Sequence, residues 1–463
     1  MQANIRSEIL RALEIEPTVD QMKAIELLSI FLSHGDEQGI FILRGFAGTG
    51  KTTLLAALTR VLKKFILLAP TGRAAKVLSG YSGCTASTIH RHIYKVMSDG
   101  DGRLQLTKME NKRTSTVFIV DEASMIGNSS EDMGNGLLED LIDYVSMGKK
   151  CRMILVGDVA QLPPVHSDYS PALDIEQVRS ISHHDVIQTE LKHVVRQKEA
   201  GGILLNATAL RILISRQADK PILKTIGFTD ITQLPGMEFK EELESCYSKY
   251  GRDEVLIITR SNKSANQYNQ LIRNQLLWMD DELGSGDRLM VVKNNYYWLE
   301  KESKAGFIAN GDNIEVQRLF SVEEKFGFRF AKAQLKMVDY PDEPSFEAHL
   351  LLDTLYSVSP ALTREENNKL YNAVVEQYIH ESKTARRKLV REDPYLNALQ
   401  VKFSYAVTCH KAQGGQWKAV FVDQGYMTDE MQGVGHLRWL YTAFTRATEK
   451  LYLINFDESL FKT

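Results

Sequence analysis

The sequence predicts an α/β protein of two successive strand-and-helix units, with a small hairpin set into the first and a small β-rich insertion into the second. Three observations carry this prediction. Short apolar runs at 40–43, 65–69, 117–120 and 153–156 read as buried strands, each ending in glycine, proline or polar residues. Runs at 255–259, 420–422 and 451–454 repeat the pattern without a second glycine-rich loop. Between them, residues 286 to 356 change to β-strand composition.

The totals set the bounds. A chain of 463 residues, 43% hydrophobic and 25% charged, can bury a sizeable core. The net charge is −3, so any nucleic-acid surface has to be local. Cys84, Cys151, Cys246 and Cys409 lie far apart and form no CxxC pair, which argues against a zinc site or a disulfide framework and fits a reducing compartment. The N-terminal MQANIRSEIL has no long apolar stretch, and no run approaches the roughly 18 residues a membrane span needs. A cytoplasmic protein with no membrane association is expected.

Taken in order, residues 18 to 33 read as an amphipathic helix with Met22, Ile25, Leu28 and Phe31 or Leu32 on one face. Thr18 and Gln21 have capping-box spacing; Gln21 is equally placed to read an adenine edge. The 40–43 strand then enters a loop with Gly45, Gly48 and Gly50, followed by Lys51, Thr52, Thr53 and a strong helix former. Strand, glycine-rich loop and helix together make GxxxxGK[ST] a phosphate site. Glycines let backbone N–H groups turn onto phosphates, the lysine reaches the β- and γ-phosphates, and the threonine hydroxyl can ligate Mg²⁺.

After the 65–69 strand, Pro70-Thr71-Gly72-Arg73 breaks the chain and a helix restarts at Ala74. Thr88 and His90 stand in a similar stretch at 85–91. Both stretches can track nucleic-acid phosphates or simply cap helices. Residues 97 to 114 are turn-rich, and Gly100-Asp101-Gly102 can close a hairpin. The 117–120 strand ends in Asp121-Glu122, where a doubly wound sheet puts its ligand: one carboxylate for the metal shell, one to orient or deprotonate water. Gln161 follows the 153–156 strand, suited to a γ-phosphate. Arg196 closes this half as a cation able to meet that phosphate across a cleft.

In the second half, the 255–259 strand leads to Arg260-Ser261-Asn262 and a helix through Arg273. Strands at 288–292, 313–316 and 333–338, with a turn at Asn310-Gly311-Asp312, make a small β-barrel. Residues 361 to 391 are helical and charged. Residues 403–416 return to the α/β core with Thr408, His410, Lys411 and the flexible Gly414-Gly415. A helix over 440–447 carries Arg446.

The blocks GFAGTGKT, APTGRAA, ASTIHR, DEAS, GDVAQLPPV, HVVRQ, TRSN, AVTCHKAQGGQW and YTAFTRA, in this order, resemble a superfamily-1 DNA helicase of the RecD/Dda-like 5′→3′ branch (superfamily 1B). The resemblance implies two RecA-like P-loop NTPase cores, parallel sheets flanked by helices. The first is residues 1–195 with a wedge insertion near 91–115; the second is 196–463, built from about 196–285 and 400–463 around an SH3-like insertion at 286–399. It implies ATP bound by Gln21, Gly45, Ala47, Gly48, Thr49, Gly50, Lys51, Thr52, Thr53 and Gly415, and Mg²⁺ held by Thr52 and Asp121. Lys51, Glu122, Gln161, Arg196 and Arg446 would be catalytic, the two arginines as fingers from the far side of the cleft. Pro70, Thr71, Thr88, His90, Asn262, Asn310, Thr408, His410 and Lys411 lie in blocks that touch DNA. The implied partners are single-stranded and forked or overhang duplex DNA, with single-strand-binding or replication proteins as further candidates; a monomer is expected. Two rival readings share these residues: an ATP-dependent clamp or translocase that never unwinds, and a remodeller of RNA–DNA hybrids. No aromatic stands between Tyr94 and Phe118 to serve as an obvious wedge residue.

Overall fold

The computed structural model describes residues 2–33, 38–98, 104–127, 136–165, 167–193, 201–217, 220–300, 303 and 305–461. Its first half is organised by six parallel strands in the order Ala86–Thr88, Phe65–Ala69, Val117–Val120, Arg152–Gly157, Gly39–Gly45, Asp185–Leu191. Parallel pairing points every C-terminal end to the same edge. The phosphate loop, Asp121-Glu122 and Asp158 therefore leave the sheet side by side, as a doubly wound sheet requires. Both faces are covered. One carries Ile25, Leu28, Leu54 and Leu58 from the helices Val19–Ser33 and Lys51–Val61; the other carries Leu138, Leu141 and Ile142 from Leu137–Met147.

The second half repeats the layer with five parallel strands in the order Ala406–Thr408, Val255–Thr259, Trp417–Asp423, Ala447–Ile454, Ile231–Gln233. The strands without an apolar run in the sequence are the edge strands of both sheets: Ala86–Thr88, Asp185–Leu191, Ala406–Thr408 and Ile231–Gln233. An edge strand is partly solvated, and three of these four are only three residues long, so no buried run marks them. The helix expected to carry Arg446 runs Val434–Phe444, and Arg446 stands past its C-cap, Thr445, in the turn to the last strand.

Two insertions leave this frame. Tyr94–Ser98 pairs antiparallel with Leu104–Lys108 as a two-stranded hairpin. Arg288–Val291, Asn313–Lys325, Phe328–Met337, Phe346–Leu351 and Leu399–Phe403 close a five-stranded barrel. Alternating Ala331, Ala333, Leu335 and Met337 turn into its interior, which is one apolar cluster with Val255, Ile257 and Phe421 of the second sheet. The barrel is thus packed onto the second core, not tethered to it.

At that junction a buried ion pair fixes the geometry. Arg273 donates from Nε to Asp287 Oδ1 at 2.9 Å and from Nη2 to Oδ2 at 3.0 Å, and its guanidinium lies 4.4 Å from the Phe403 ring centre. Asp287 also accepts from the Tyr405 hydroxyl and from Gly284 N–H, so its lone pairs are all used. Among the described residues no helix is long and apolar enough to cross a membrane. Arg273→Ala strands a fully buried carboxylate and is expected to cost about 3–5 kcal/mol, read as a lower urea midpoint in circular dichroism.

Candidate functional site

The site begins at the loop after Gly39–Gly45. Gly48 and Gly50 hold φ of 76° and 86°, left-handed values that favour glycine. Gly45 is needed for a different reason: a Cβ there would meet Lys51 Cγ at 2.8 Å. Gly50 is the N-cap of Lys51–Val61, so that helix's N-terminus opens on the loop. Lys51 Nζ donates to Gly45 O at 2.6 Å and Phe46 O at 3.0 Å, and lies 4.0 Å from Asp158 Oδ2. Thr52 and Thr53 present exposed side chains at the first turn.

Of its two readings, Gln21 takes up the cap. It closes the capping box with Thr18, accepting at Oε1 from Thr18 N–H at 3.0 Å while its own N–H donates to Thr18 Oγ1 at 3.3 Å. Its Nε2 also donates to Thr49 O at 3.1 Å, which ties the helix start to the phosphate loop.

Asp121 and Glu122 stand beside the loop. Glu122 has a φ of 53°, strained for a non-glycine residue, and its N–H donates to Asp121 Oδ1 at 2.9 Å. Tyr81 donates its hydroxyl to the other Asp121 oxygen. Burial, and then the neighbouring Glu122 charge, push the Asp121 carboxyl up to about 6, against the pull of Tyr81 and Lys51. A divalent cation is what such a pair lacks. Asp121 with the Thr52 hydroxyl is a hard all-oxygen donor set that suits Mg²⁺ completed by phosphate and water. Among the described residues no group of three or more acidic, histidine or cysteine side chains could hold a metal.

The second core closes over this cleft. Arg446 is 3% exposed, donates to Gly415 O at 3.2 Å and Thr442 O at 3.1 Å, and brings Nη1 to 3.8 Å from Glu122 Oε1. Gly415 thus enters the site by holding Arg446. Leu162 N–H donates to Thr442 Oγ1 at 2.8 Å, and Gln413 Nε2 donates to Leu162 O at 2.7 Å. Gln161 is buried at this seam, and its Oε1 has no hydrogen-bond partner among the described residues. Arg196 lies outside the described residues.

Three residues here carry no sequence signal strong enough to single them out: Asp158, Tyr441 and Arg211. Asp158 follows a strand end as Asp121 does, which was the available clue. Tyr441 looks like one more core aromatic. Arg211, from helix Gly202–Arg216, lies 4.8 Å from the ring centre of Phe46 in the phosphate loop, and its buried Nη1 has no hydrogen-bond partner among the described residues.

The residues expected at nucleic acid occupy the other end of the same edges. Pro70 and Thr71 follow Phe65–Ala69, and Thr88 ends the adjacent edge strand. Thr71 and Thr88 cap their helices, accepting from Ala74 N–H at 3.2 Å and Arg91 N–H at 3.3 Å, so the capping reading holds. Burial pushes the His90 imidazole down to about 4, so it is neutral at pH 7. In the second core Asn262, Thr408 and Lys411 line a small pocket with Lys402. Burial alone lowers Lys411 to about 8, and burial plus Lys411 lowers Lys402 to about 8. His410 is exposed beside them. Asn310 is apart from this group, on an exposed barrel turn where its N–H donates to Asn294 Oδ1 at 2.8 Å.

Comparison with known proteins follows the same division. Residues 20–212 match the AAA domain family model, and residues 403–454 match the UvrD-like helicase C-terminal domain. An uncharacterised protein of Methanocaldococcus jannaschii is 25% identical over 90% of this chain and 36% of its own length. The ATP-dependent RecD2 DNA helicase of Deinococcus radiodurans is 33% identical over 32% of this chain and 21% of its own length. The chain therefore spans about a third and a fifth of these two relatives. The Pif1 helicase from Bacteroides, solved with ADP-AlF3 and ssDNA, aligns over 97% of this chain and 95% of its own at 15% identity, with a TM-score of 0.47.

The raised carboxyl of Asp121 gives a test with a definite sign. Its folded pKa of about 6 exceeds the ordinary 3.8, so its ionisation opposes folding. That cost is fully present above pH 6 and fades as pH falls toward 4. Asp121→Asn is expected to raise the urea midpoint at pH 8, by roughly 2–3 kcal/mol at 1.36 kcal/mol per unit, and to change it little at pH 4. An equal gain at both values would remove the buried charge from the account.

Proposed function

We propose that this chain, which belongs by its motif set, its paired cores and its family matches to the superfamily-1 helicases of the Pif1/RecD-like branch, is an ATP-dependent DNA helicase. The observation that carries the proposal is the cleft itself. Lys51 of one core stands 4.0 Å from Asp158 and Arg446 of the other stands 3.8 Å from Glu122, so a cation from each core faces the cleft's carboxylates. A γ-phosphate placed there draws charge from both cores, and its hydrolysis removes the shared ligand.

In this reading ATP–Mg²⁺ is bound by the loop from Gly45 to Thr53, with Gln21 at the adenine and Thr52 and Asp121 on the metal. The metal supplies charge neutralisation at the β- and γ-phosphates. Glu122 accepts the proton of the attacking water, and Gln161, whose amide oxygen lacks a partner among the described residues, orients that water or the γ-phosphate. Arg446, and Arg196 by the motif it stands in, stabilise the transferring group. Each core grips a single strand through its own phosphate contacts: Pro70, Thr71, Thr88 and His90 on the first, Asn262, Thr408, His410 and Lys411 on the second, with Asn310 on the barrel. Closing and opening the cleft then moves the strand by alternating grip. The antiparallel hairpin Tyr94–Ser98 with Leu104–Lys108 is the candidate wedge. Movement 5′→3′ follows the branch resemblance.

Unwinding of matched duplexes with 5′ or 3′ overhangs tests this reading directly. Strand separation is expected with ATP on the 5′ overhang only. ATP hydrolysis stimulated by single strands without strand separation would favour a clamp. Lys51→Ala should abolish turnover. Glu122→Gln should bind ATP normally and lose hydrolysis by at least about a hundredfold, the size of a lost general base. Arg446→Ala should lower kcat with ATP affinity largely kept; an unchanged rate would refute the two-core site.

A further inference from the structure

We propose that Tyr441 is a positioning residue through which the state of the nucleotide pocket sets how firmly the second core is held on the first. The inference rests on the helicase reading above.

Tyr441 belongs to the second core's helix Val434–Phe444, yet both partners of its hydroxyl belong to the first core. The oxygen accepts from Ala47 N–H in the phosphate loop at 2.8 Å, and the proton is donated to Asp158 Oδ2 at 2.6 Å. One atom of the second core thus joins two loops that leave different strands of the first. Tyr441 is 1% exposed and Asp158 0%, so water cannot substitute for either bond.

The Asp158 oxygen that takes the tyrosine proton is also the one that faces Lys51 Nζ at 4.0 Å. Its other oxygen is committed to Ala160 N–H at 2.9 Å. Burial pushes the Asp158 carboxyl up, and Lys51, then Tyr441, hold it down. Tyr441 and Lys51 therefore share one buried negative charge. A phosphate group drawn to Lys51 takes up part of that cation's field. Asp158 then leans harder on the tyrosine hydroxyl, since a buried carboxylate with fewer donors binds the remaining one more strongly. Loss of the phosphate returns Lys51 to Asp158 and loosens the pin.

Other contacts of the seam carry no charge. The bonds of Leu162 to Thr442 and Gln413 are neutral, and Phe46 and Ala47 pack as apolar contacts against the second core's cluster. They supply constant adhesion. Arg446 and Glu122 also meet across the seam as charges, but the Tyr441 hydroxyl alone among these groups also holds the phosphate loop, through Ala47 N–H.

The test uses the full chain and measures affinity for a fluorescent oligothymidine, with and without Mg²⁺ and a slowly hydrolysed ATP analogue. The wild-type ratio of the two affinities is the coupling factor. Tyr441→Phe keeps the ring in its cluster and removes the hydroxyl; the factor is expected to fall roughly tenfold or to one, as for loss of a buried hydrogen bond to a charged group. Asp158→Asn keeps an acceptor and removes the shared charge, and should fall as far. The double variant should fall no further than either single one. A merely structural tyrosine would lower the melting temperature and weaken both affinities alike, leaving the factor intact, and that result overturns the proposal. Should Tyr441→Phe fail to fold, an unchanged factor in Asp158→Asn overturns it alone. A wild-type chain whose affinity ignores the nucleotide would remove the motor reading and this inference together; a wild-type factor retained in the variants removes this inference only.

Discussion

Charge crowding in one cleft is the constraint that the rest of the structure answers. Asp121, Glu122 and Asp158 come off neighbouring parallel strands and reach the same space because parallel pairing leaves them no other direction. Lys51 is the first core's own cation there, and it is already engaged with two loop carbonyls. The first core by itself would hold buried carboxylates without enough donors, a costly arrangement in a medium of low dielectric. Arg446 and Tyr441 meet that need from the second core. The two cores are therefore not merely adjacent; the cleft is electrostatically complete only when they touch. Any ligand that alters its charge must also alter how the cores adhere.

This explains what could be read in the sequence and what could not. The phosphate loop was legible because its requirements are local: glycines at fixed offsets, a lysine, a threonine, a strand before and a helix after. The pair Asp121-Glu122 was legible because it ends an unbroken apolar run. Gln21 offered two local readings, and its side chain carries both the cap and a bond to Thr49. Tyr441 bridges to Ala47 across 394 positions and to Asp158 across 283, separations at which no periodicity or spacing speaks. Arg211 is similar: nothing around it in sequence points to Phe46. The central strands were legible as apolar runs, whereas the edge strands, such as Asp185–Leu191 with Gln188 and Glu190, mix polar residues into the run. The last barrel strand, Leu399–Phe403, was absorbed into the returning core because the barrel closes through a long charged excursion that hides the pairing of residues 289–291 with 401–403.

The helix Gly72–Ser82 shows how the nucleotide end and the expected nucleic-acid end of the edge are joined mechanically. At its start Thr71 is the cap. Arg73 donates to Gln416 O at 3.1 Å and stacks 5.0 Å from the Trp417 ring centre, both in the second core. A Cβ on Gly414 would meet Ala74 Cβ at 2.7 Å, so the returning loop of the second core rides directly on the helix. At its far end Tyr81 donates to Asp121. One helix thus touches Asp121 at one end and the second core at the other.

The barrel is bound to that same helix by charge. Asp339 sits 3.9 Å from both Arg73 and Lys76, and a Cβ on Gly72 would meet Asp312 Oδ1 at 2.7 Å. Burial drives the Asp312 carboxyl up to about 8, with the Asp339 charge adding to the rise and the Ala309 N–H and Arg91 opposing it. Burial thus disfavours a second negative charge beside Asp339 at the helix start. The barrel, anchored on the second core by Arg273 and Asp287, thus reaches back across to the first. The helix start that carries Thr71 is enclosed between them. The barrel, the second-core loop and the start of this helix therefore meet at one place, where the first core is held by both parts of the second half at once.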